Sequence, residues 1–513
     1  MPITKEIGVV STGIAVEKGL GFGPVSQPAV SHGKKNDGTT TIVKLVMLNP
    51  YVRGDAMADH NHFILLGAGS DVASRYVFPA LVELESAHLL TQDFQVLAVT
   101  RKKWRNVAVF RRHIEGQVKA RHGKIKRTAL KQLLARVSHA SADLTDPQQL
   151  RAVIGPLQDP LVLYFGLPPS VSEAIVENLH DVRLPPQSRV MLEKPFGQDR
   201  ESAQSLNRKL LELFPEQDVF RVDHFLGKQT VQNILGIRFA NRVLDSAWDR
   251  QHVERVEIVW DETNTLEGRV GYYDSAGALK DMIQNHLLQL MCLVAMEPPS
   301  CLTESELRDR KMDLLRDIRS LSRDEIKGCT IRARYTNGNI KGRPVRDYLK
   351  EPGVDPARQT ETFADIRLFV DNERWRDVPF ILRSGKAMKQ DRQELTIYFR
   401  PSRHSTFGSS HAVKSNQLRV GLKVDEVGLS INVNGPGNPL EADSVDLQTE
   451  LAPEPMSAYA GLIQDVLKGE SIFFIRNDEA EEAWRVVDPI VEAWKDDVVP
   501  LESYRAGTHG PQK

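Results

Sequence analysis

Residues Phe220 to Lys228 read Phe-Arg-Val-Asp-His-Phe-Leu-Gly-Lys, which puts a carboxylate, an imidazole and an ammonium into one short stretch. An aspartate beside a histidine suits proton transfer, and a histidine with a lysine suits an anion such as phosphate. The apolar-alternating run Val219 to Val222 just before them predicts a buried strand. Strand ends of open α/β sheets are where ligands sit, so the cluster is aimed at something. A second concentration lies at Gly271 to His286. From Ala278 to Met296 the chain is nearly all apolar, which predicts a buried helix, yet it carries Asp281, Gln284, Asn285, His286 and Gln289. Buried polar groups must find partners. Taken alone, His286 is more often a hydrogen-bonded core histidine than a reactive one.

The elements that position these groups are legible in outline. Phe63 to Leu66 is a continuous apolar run, as expected for a parallel strand buried on both faces. It enters Gly67-Ala68-Gly69-Ser70-Asp71 and then a helix-like stretch, Tyr76 to Leu90. Small residues at such a turn let backbone amides and a helix N-terminus approach a pyrophosphate, although Gly-rich strand ends also serve as plain turns. A second strand, Phe94 to Val99, ends in Thr100-Arg101-Lys102-Lys103. NAD sites place an acid there for the ribose diol, whereas an arginine accommodates a 2′-phosphate, so Arg101 predicts NADP over NAD. The competing reading is a solvated cationic loop. Two more strands, Leu161 to Phe165 and Arg189 to Leu192, end in Gly-Leu-Pro-Pro and Glu-Lys-Pro-Phe-Gly. Proline at these exits stops the strand and holds the next side chains rigidly at the sheet edge.

Residues 62–223 therefore read as a doubly wound α/β Rossmann-type coenzyme domain. After Lys228 come a helix and then amphipathic strands: His252 to Trp260, Gly328 to Arg334, Thr362 to Val370, Glu394 to Phe399 and Gln417 to Val424. Strands in runs predict an α+β domain with a large, mostly antiparallel sheet over residues 224–513. Residues 1–61, with Gly, Ser, Thr and Lys and little periodicity, read as a poorly ordered extension. The 513 residues are 41% hydrophobic and 26% charged with a net charge of −1, which gives no support for nucleic-acid or polybasic membrane binding. Cys292, Cys301 and Cys329 are too few and too irregular for a disulfide framework or a zinc site, and fit a reducing, cytoplasmic compartment.

The segment at Asp223 resembles the Arg-Ile-Asp-His-Tyr-Leu-Gly-Lys signature of the glucose-6-phosphate dehydrogenase family. So do Leu167-Pro168-Pro169, Glu193-Lys194-Pro195, the helix of His286 and Val378 to Lys386, and the likeness spans about residues 62 to 500. The resemblance implies oxidation of glucose 6-phosphate at C1 to 6-phosphogluconolactone with hydride transfer to NADP. It implies His286 as general base and Asp223 as the carboxylate that orients it. His224 and Lys228 match phosphate binders; Lys194, Glu262 and Asp281 match groups on sugar hydroxyls; Lys386 matches another substrate-site cation. Gly67, Gly69, Ser70, Asp71, Arg101, Pro168 and Lys194 are the expected coenzyme contacts, and a homodimer or homotetramer is implied.

Four departures accompany the likeness. The family turn Gly-Ala-Ser-Gly-Asp-Leu-Ala has its third and fourth residues in swapped order, as Gly69 and Ser70. Tyr76 replaces a usual lysine, with Arg75 adjacent; Phe225 replaces a tyrosine; and Asp391 stands where a cation is common, with Arg392 next to it. If Arg392 supplies the missing cation the substrate is unchanged; otherwise the sugar carries less charge. Two other readings stay open: the same chemistry on another hexose or sugar phosphate, and a catalytically silent relative acting as a subunit or regulator. On an ideal α-helix Asp281 and His286 point well apart, so they share a ligand only by gripping it from two sides or if the helix begins irregularly.

Overall fold

The structure is a computed structural model that describes residues 60–122, 125–266, 270–402, 414–434, 442–452 and 454–511. The expected N-terminal extension lies outside the described residues except for its last two. Those two are tied to the domain: the His60 imidazole is 2.7 Å from the Gln187 carbonyl, and Asn61 Oδ1 accepts from the Thr91 hydroxyl at 2.7 Å.

Six strands form the first sheet: β1 (His62–Leu66), β2 (Gln95–Thr100), β3 (Val137–Ser141), β4 (Leu161–Phe165), β5 (Arg189–Glu193) and β6 (Val219–Val222). Their order is β3-β2-β1-β4-β5-β6, and every pairing is parallel. The chain works outward from β1 to one edge and then crosses to β4, which opens a crevice at the carboxyl ends of β1 and β4. Strand β3 is absent from the sequence expectation. Its residues, Val-Ser-His-Ala-Ser, form an edge strand on which only Val137 is buried, so they carry no apolar run to read.

The second sheet has nine strands. They are β7 (Val253–Asp261), β8 (Thr330–Thr336), β11 (Phe363–Leu368), β12 (Phe380–Gly385), β13 (Arg392–Phe399), β14 (Gln417–Gly421), β15 (Glu426–Asn434), β16 (Ala442–Glu450) and β17 (Leu501–Arg505). A separate short hairpin is formed by β9 (Gly338–Ile340) and β10 (Arg343–Val345). The order is β16-β15-β14-β13-β7-β12-β11-β8-β17, and six of the eight pairings are antiparallel. The parallel pairs are β7 with β12 and β8 with β17. The first of these matters for chemistry, because two parallel neighbours deliver their next residues to the same edge. Gly328, expected in a strand, ends up in the helix Arg323–Cys329 instead.

The buried helical stretch is not one regular helix. Val270–Ala278 contains Gly277 at φ 69°, and then Leu279–Leu287 is wound as a π-helix before Leu288–Ala295 returns to α. A Cβ on Gly277 would lie 2.3 Å from Glu361 Oε1, so only glycine combines that φ with that approach. The Glu361 carboxylate accepts the Leu279 N–H at 2.9 Å and so caps the π-helix. Among the described residues no helix is long and apolar enough to cross a membrane.

Candidate active site

Strand β6 ends at Val222, and the next six residues fold back through turns closed by Leu226 N–H to Asp223 O and Lys228 N–H to Phe225 O, each 3.0 Å. This holds Asp223 beneath the π-helix, where its Oδ1 lies 2.5 Å from His286 Nδ1, both side chains being 1% exposed. The same oxygen accepts the Phe225 N–H at 2.9 Å. The His286 ring is clamped: Phe225 stacks on it at 4.1 Å and 11°, and His224 meets it edge-on at 4.7 Å.

Burial pushes the Asp223 carboxyl up, but His286, His224 and the Phe225 N–H pull it down further, to about 2. Burial lowers the His286 pKa, and Asp223 offsets this only in part. The resting pair is thus a carboxylate and a neutral imidazole. With the carboxylate on Nδ1, that nitrogen carries the proton and Nε2 is left as an acceptor, the arrangement a general base needs. The ligand atoms of Asp223, His224 and His286 lie within 4.8 Å of one another, a spacing that also suits a cation. The favoured Asp223 oxygen is already engaged by two donors.

Lys194, directly after β5, donates to the Asp281 carbonyl and to its Oδ1, the latter at 3.0 Å. Burial opposes the Lys194 charge, yet Asp281 and its neighbours raise the ammonium's pKa overall. Because β5 and β6 are adjacent parallel strands, with Glu193 opposite Val222, Lys194 and Asp223 emerge side by side. They engage Asp281 and His286, which must therefore share one helix face. In an α-helix a spacing of five residues separates two side chains by about 140°. The i→i+5 winding of a π-helix brings them much nearer to alignment.

Glu262 and Lys386 come directly after β7 and β12, and the Lys386 ammonium donates to Glu262 Oε2. Lys228 is pressed against two rings, its Nζ 4.0 Å from the Phe225 centroid and 4.6 Å from that of Trp260. Burial lowers its pKa to about 8. His224 is pushed well below its ordinary pKa by burial and then by His286, so its resting imidazole is neutral.

One alternative left open by the sequence is decided here. Arg392 is not directed at an anion; Glu394 and Glu257 hold its guanidinium at 2.7 and 3.0 Å. Three further groups went unread in the sequence. Tyr459 stacks on His224 at 5.8 Å and on Tyr76 at 4.9 Å, and lies behind the site at the start of the helix Ala458–Lys468. Glu193, bonded by the Tyr164 hydroxyl, is pushed up to about 7 by burial. Lys423 forms the third. Tyr459 and Lys423 carry no local motif, and Glu193, although part of the Glu-Lys-Pro motif, shows its tyrosine partner only through long-range packing.

At the other crevice wall, Gly67 has φ 86°, and a Cβ there would sit 2.6 Å from the Gly166 carbonyl. The ends of β1 and β4 therefore meet in a close backbone approach that suits a dinucleotide. Ser70 N–H closes the turn on Gly67 O at 2.9 Å, and the Ser70 hydroxyl accepts the Ala73 N–H. A Cβ on Gly69 would find only an ordinary contact with Thr100, so this residue is less constrained than Gly67. Asp71 is held by Arg75 at 3.1 Å and Arg121 at 2.7 Å, so Arg75 does not simply replace the usual lysine. Arg101 is exposed just past β2, and Pro168 caps the helix Pro169–Leu179. These residues fit a nicotinamide dinucleotide.

Two family models match the chain: the glucose-6-phosphate dehydrogenase NAD binding domain over residues 64–233 and the C-terminal domain over residues 235–513. The glucose-6-phosphate 1-dehydrogenase of Gluconobacter oxydans (strain 621H) is 37% identical over 465 residues, 88% of this chain and 94% of its own. That of Zymomonas mobilis is 36% identical over 87% of this chain and 95% of its own. The crystal structure of the Mycobacterium avium enzyme aligns with a TM-score of 0.78 at 30% identity, covering 88% of this chain and 95% of that one. A glucose-6-phosphate dehydrogenase in complex with glucose 6-phosphate aligns with a TM-score of 0.80 at 28% identity, over 89% and 96%. Both halves of the chain, and their arrangement around one crevice, belong to the glucose-6-phosphate dehydrogenase family.

Proposed function

We propose that the chain oxidises glucose 6-phosphate at C1 to the 6-phosphogluconolactone with NADP, the first step of the oxidative pentose phosphate pathway. The observation that carries this is the clamped, neutral His286 backed by an ionised Asp223. His286 Nε2 takes the C1 hydroxyl proton, the C1–O bond becomes the lactone carbonyl, and the C1 hydrogen leaves with its electron pair. The nicotinamide coenzyme, when bound, supplies the acceptor for that hydride. Asp223 stabilises the imidazolium that forms. Lys194, Asp281, Glu262 and Lys386 orient the sugar hydroxyls, and Lys228 with His224 holds the phosphate. On the coenzyme side Gly67, Gly69, Ser70, Asp71, Pro168 and Lys194 make the contacts, with Arg101 on the 2′-phosphate. Purified protein with glucose 6-phosphate and NADP should produce the absorbance of reduced nicotinamide. No reduction with that sugar, but reduction with a different one, would overturn the substrate.

Coenzyme choice rests on the exposed Arg101 and the lack of an acid between Thr100 and Lys103. Arg101→Ala should raise KM for NADP by about 10-fold or more, as loss of a charge-assisted bond requires, and leave NAD nearly unaffected. Equal losses for both coenzymes would remove Arg101 from the 2′-phosphate.

The same reading includes a homo-oligomer formed through the outer part of the second sheet. Val433 on β15 and Leu447 on β16 are 39% and 54% exposed, as a partner-facing surface would be in the isolated chain. Sedimentation at micromolar concentration should show at least a dimer; a single 57.6 kDa species would overturn this. Cys292, Cys301 and Cys329 are all free thiols, which suits a cytoplasmic setting.

A further inference from the structure

We propose that Lys423, in the turn between β14 and β15, is a second cation for the phosphate of the sugar, and that Asp391 is its anchor. This rests on the reading of glucose 6-phosphate as substrate.

The turn spans Leu422 to Asp425 and is fixed against the site. The Leu422 N–H donates to Gln393 O at 2.9 Å, its side chain is buried, and its carbonyl accepts from Lys228 Nζ at 3.4 Å. The residue after Leu422 therefore leaves the backbone beside the phosphate lysine. Its charge reaches Lys228, on which it acts to lower the ammonium's pKa. Strands β13 and β14 pair with Glu394 opposite Gly421, so Asp391 and Lys423 lie just beyond the same end of that ladder.

Asp391 is not free to repel an anion. Its Oδ1 accepts from the Thr263 N–H at 2.7 Å and the Thr263 hydroxyl at 2.9 Å, and its Oδ2 meets Lys423 Nζ at 3.1 Å. The carboxylate is pinned to the loop after β7 and turns its other oxygen to Lys423. Arg392, the adjacent cation, is occupied by Glu394 and Glu257. The cation that the family commonly places at position 391 is thus delivered here from the neighbouring hairpin.

Charge balance calls for it. The groups around Lys228 include Asp425 and Glu454, the latter accepting the Gln229 N–H directly after Lys228. One buried lysine and a neutral His224, facing two carboxyl groups, do not offset a phosphate dianion. Lys423, 58% exposed on a long flexible stem, gives Asp391 one of its three N–H donors and keeps the others for the phosphate without moving the backbone, whereas Arg392 is committed to two carboxylates.

The test uses Lys423→Gln in the full-length enzyme, with glucose 6-phosphate and glucose as substrates. Lys423→Gln should raise KM for glucose 6-phosphate by about 10-fold while kcat, and all activity on glucose, stay within about twofold. Adding Asp391→Arg should recover most of that loss, because the cation returns to the same side of the pocket. The glucose activity reports folding. An unchanged KM in Lys423→Gln, in an enzyme that still prefers the phosphorylated sugar, would overturn this inference alone. A wild-type enzyme with no preference for the phosphorylated sugar would overturn both it and the substrate reading.

Discussion

His286→Ala should lower kcat by about 10²–10⁴-fold, the range a positioned general base contributes. Coenzyme binding, followed by nicotinamide fluorescence, should be nearly unchanged, because the side chain's contacts are with Asp223, Phe225 and His224, none of which is assigned to the coenzyme. Asp223→Ala should also suppress turnover strongly, since the imidazole then loses the partner that fixes its tautomer and stabilises its charged form. Substitution at Asp223 also frees the Phe225 N–H, so the stack of Phe225 on His286 loosens with it. A folded His286→Ala protein with wild-type kcat would remove His286 from the reaction.

Lys228→Ala should change selectivity more than it changes rate. A charge-assisted contact to the phosphate is worth about 1.5–3 kcal/mol, so KM for glucose 6-phosphate should rise about 10- to 150-fold while the weak activity on glucose stays level. The same residue sets a pH limb. Burial lowers the Lys228 pKa to about 8, so the free enzyme loses this cation as pH rises through about 8. Hence kcat/KM for glucose 6-phosphate should fall above that pH, whereas kcat/KM for glucose should not show that fall. If Lys228→Ala lowers both activities in proportion, Lys228 and His224 do not hold a phosphate.

Much of the positioning frame is written locally. Phe63 to Leu66, Leu161 to Phe165 and Val219 to Val222 are short apolar runs that stop in Gly, Pro or charge. Central parallel strands buried on both faces leave just such a trace. The strand-end residues Lys194 and Asp223 were legible for this reason, whereas Glu262 and Lys386 were named through the family resemblance, and the strand before Lys386 was not expected. Strand β3 and the ribbon β15–β16 were not, because edge and half-exposed strands carry mixed residues whose pairing is decided by neighbours.

By itself, then, the sequence determined which groups exist at the ends of which strands, since apolar periodicity and strand breakers act over a few residues. Tertiary structure alone decided which of those groups meet. The π-winding of Leu279–Leu287, capped by Glu361, turns Asp281 and His286 toward adjacent strand ends. The ladder between β13 and β14 assigns Asp391 to Lys423, while Glu394 on the same strand and Glu257 on β7 claim Arg392. Helix winding and strand register are settled by contacts between residues far apart in the chain, so side-chain pairing depends on them and not on the local order of residues.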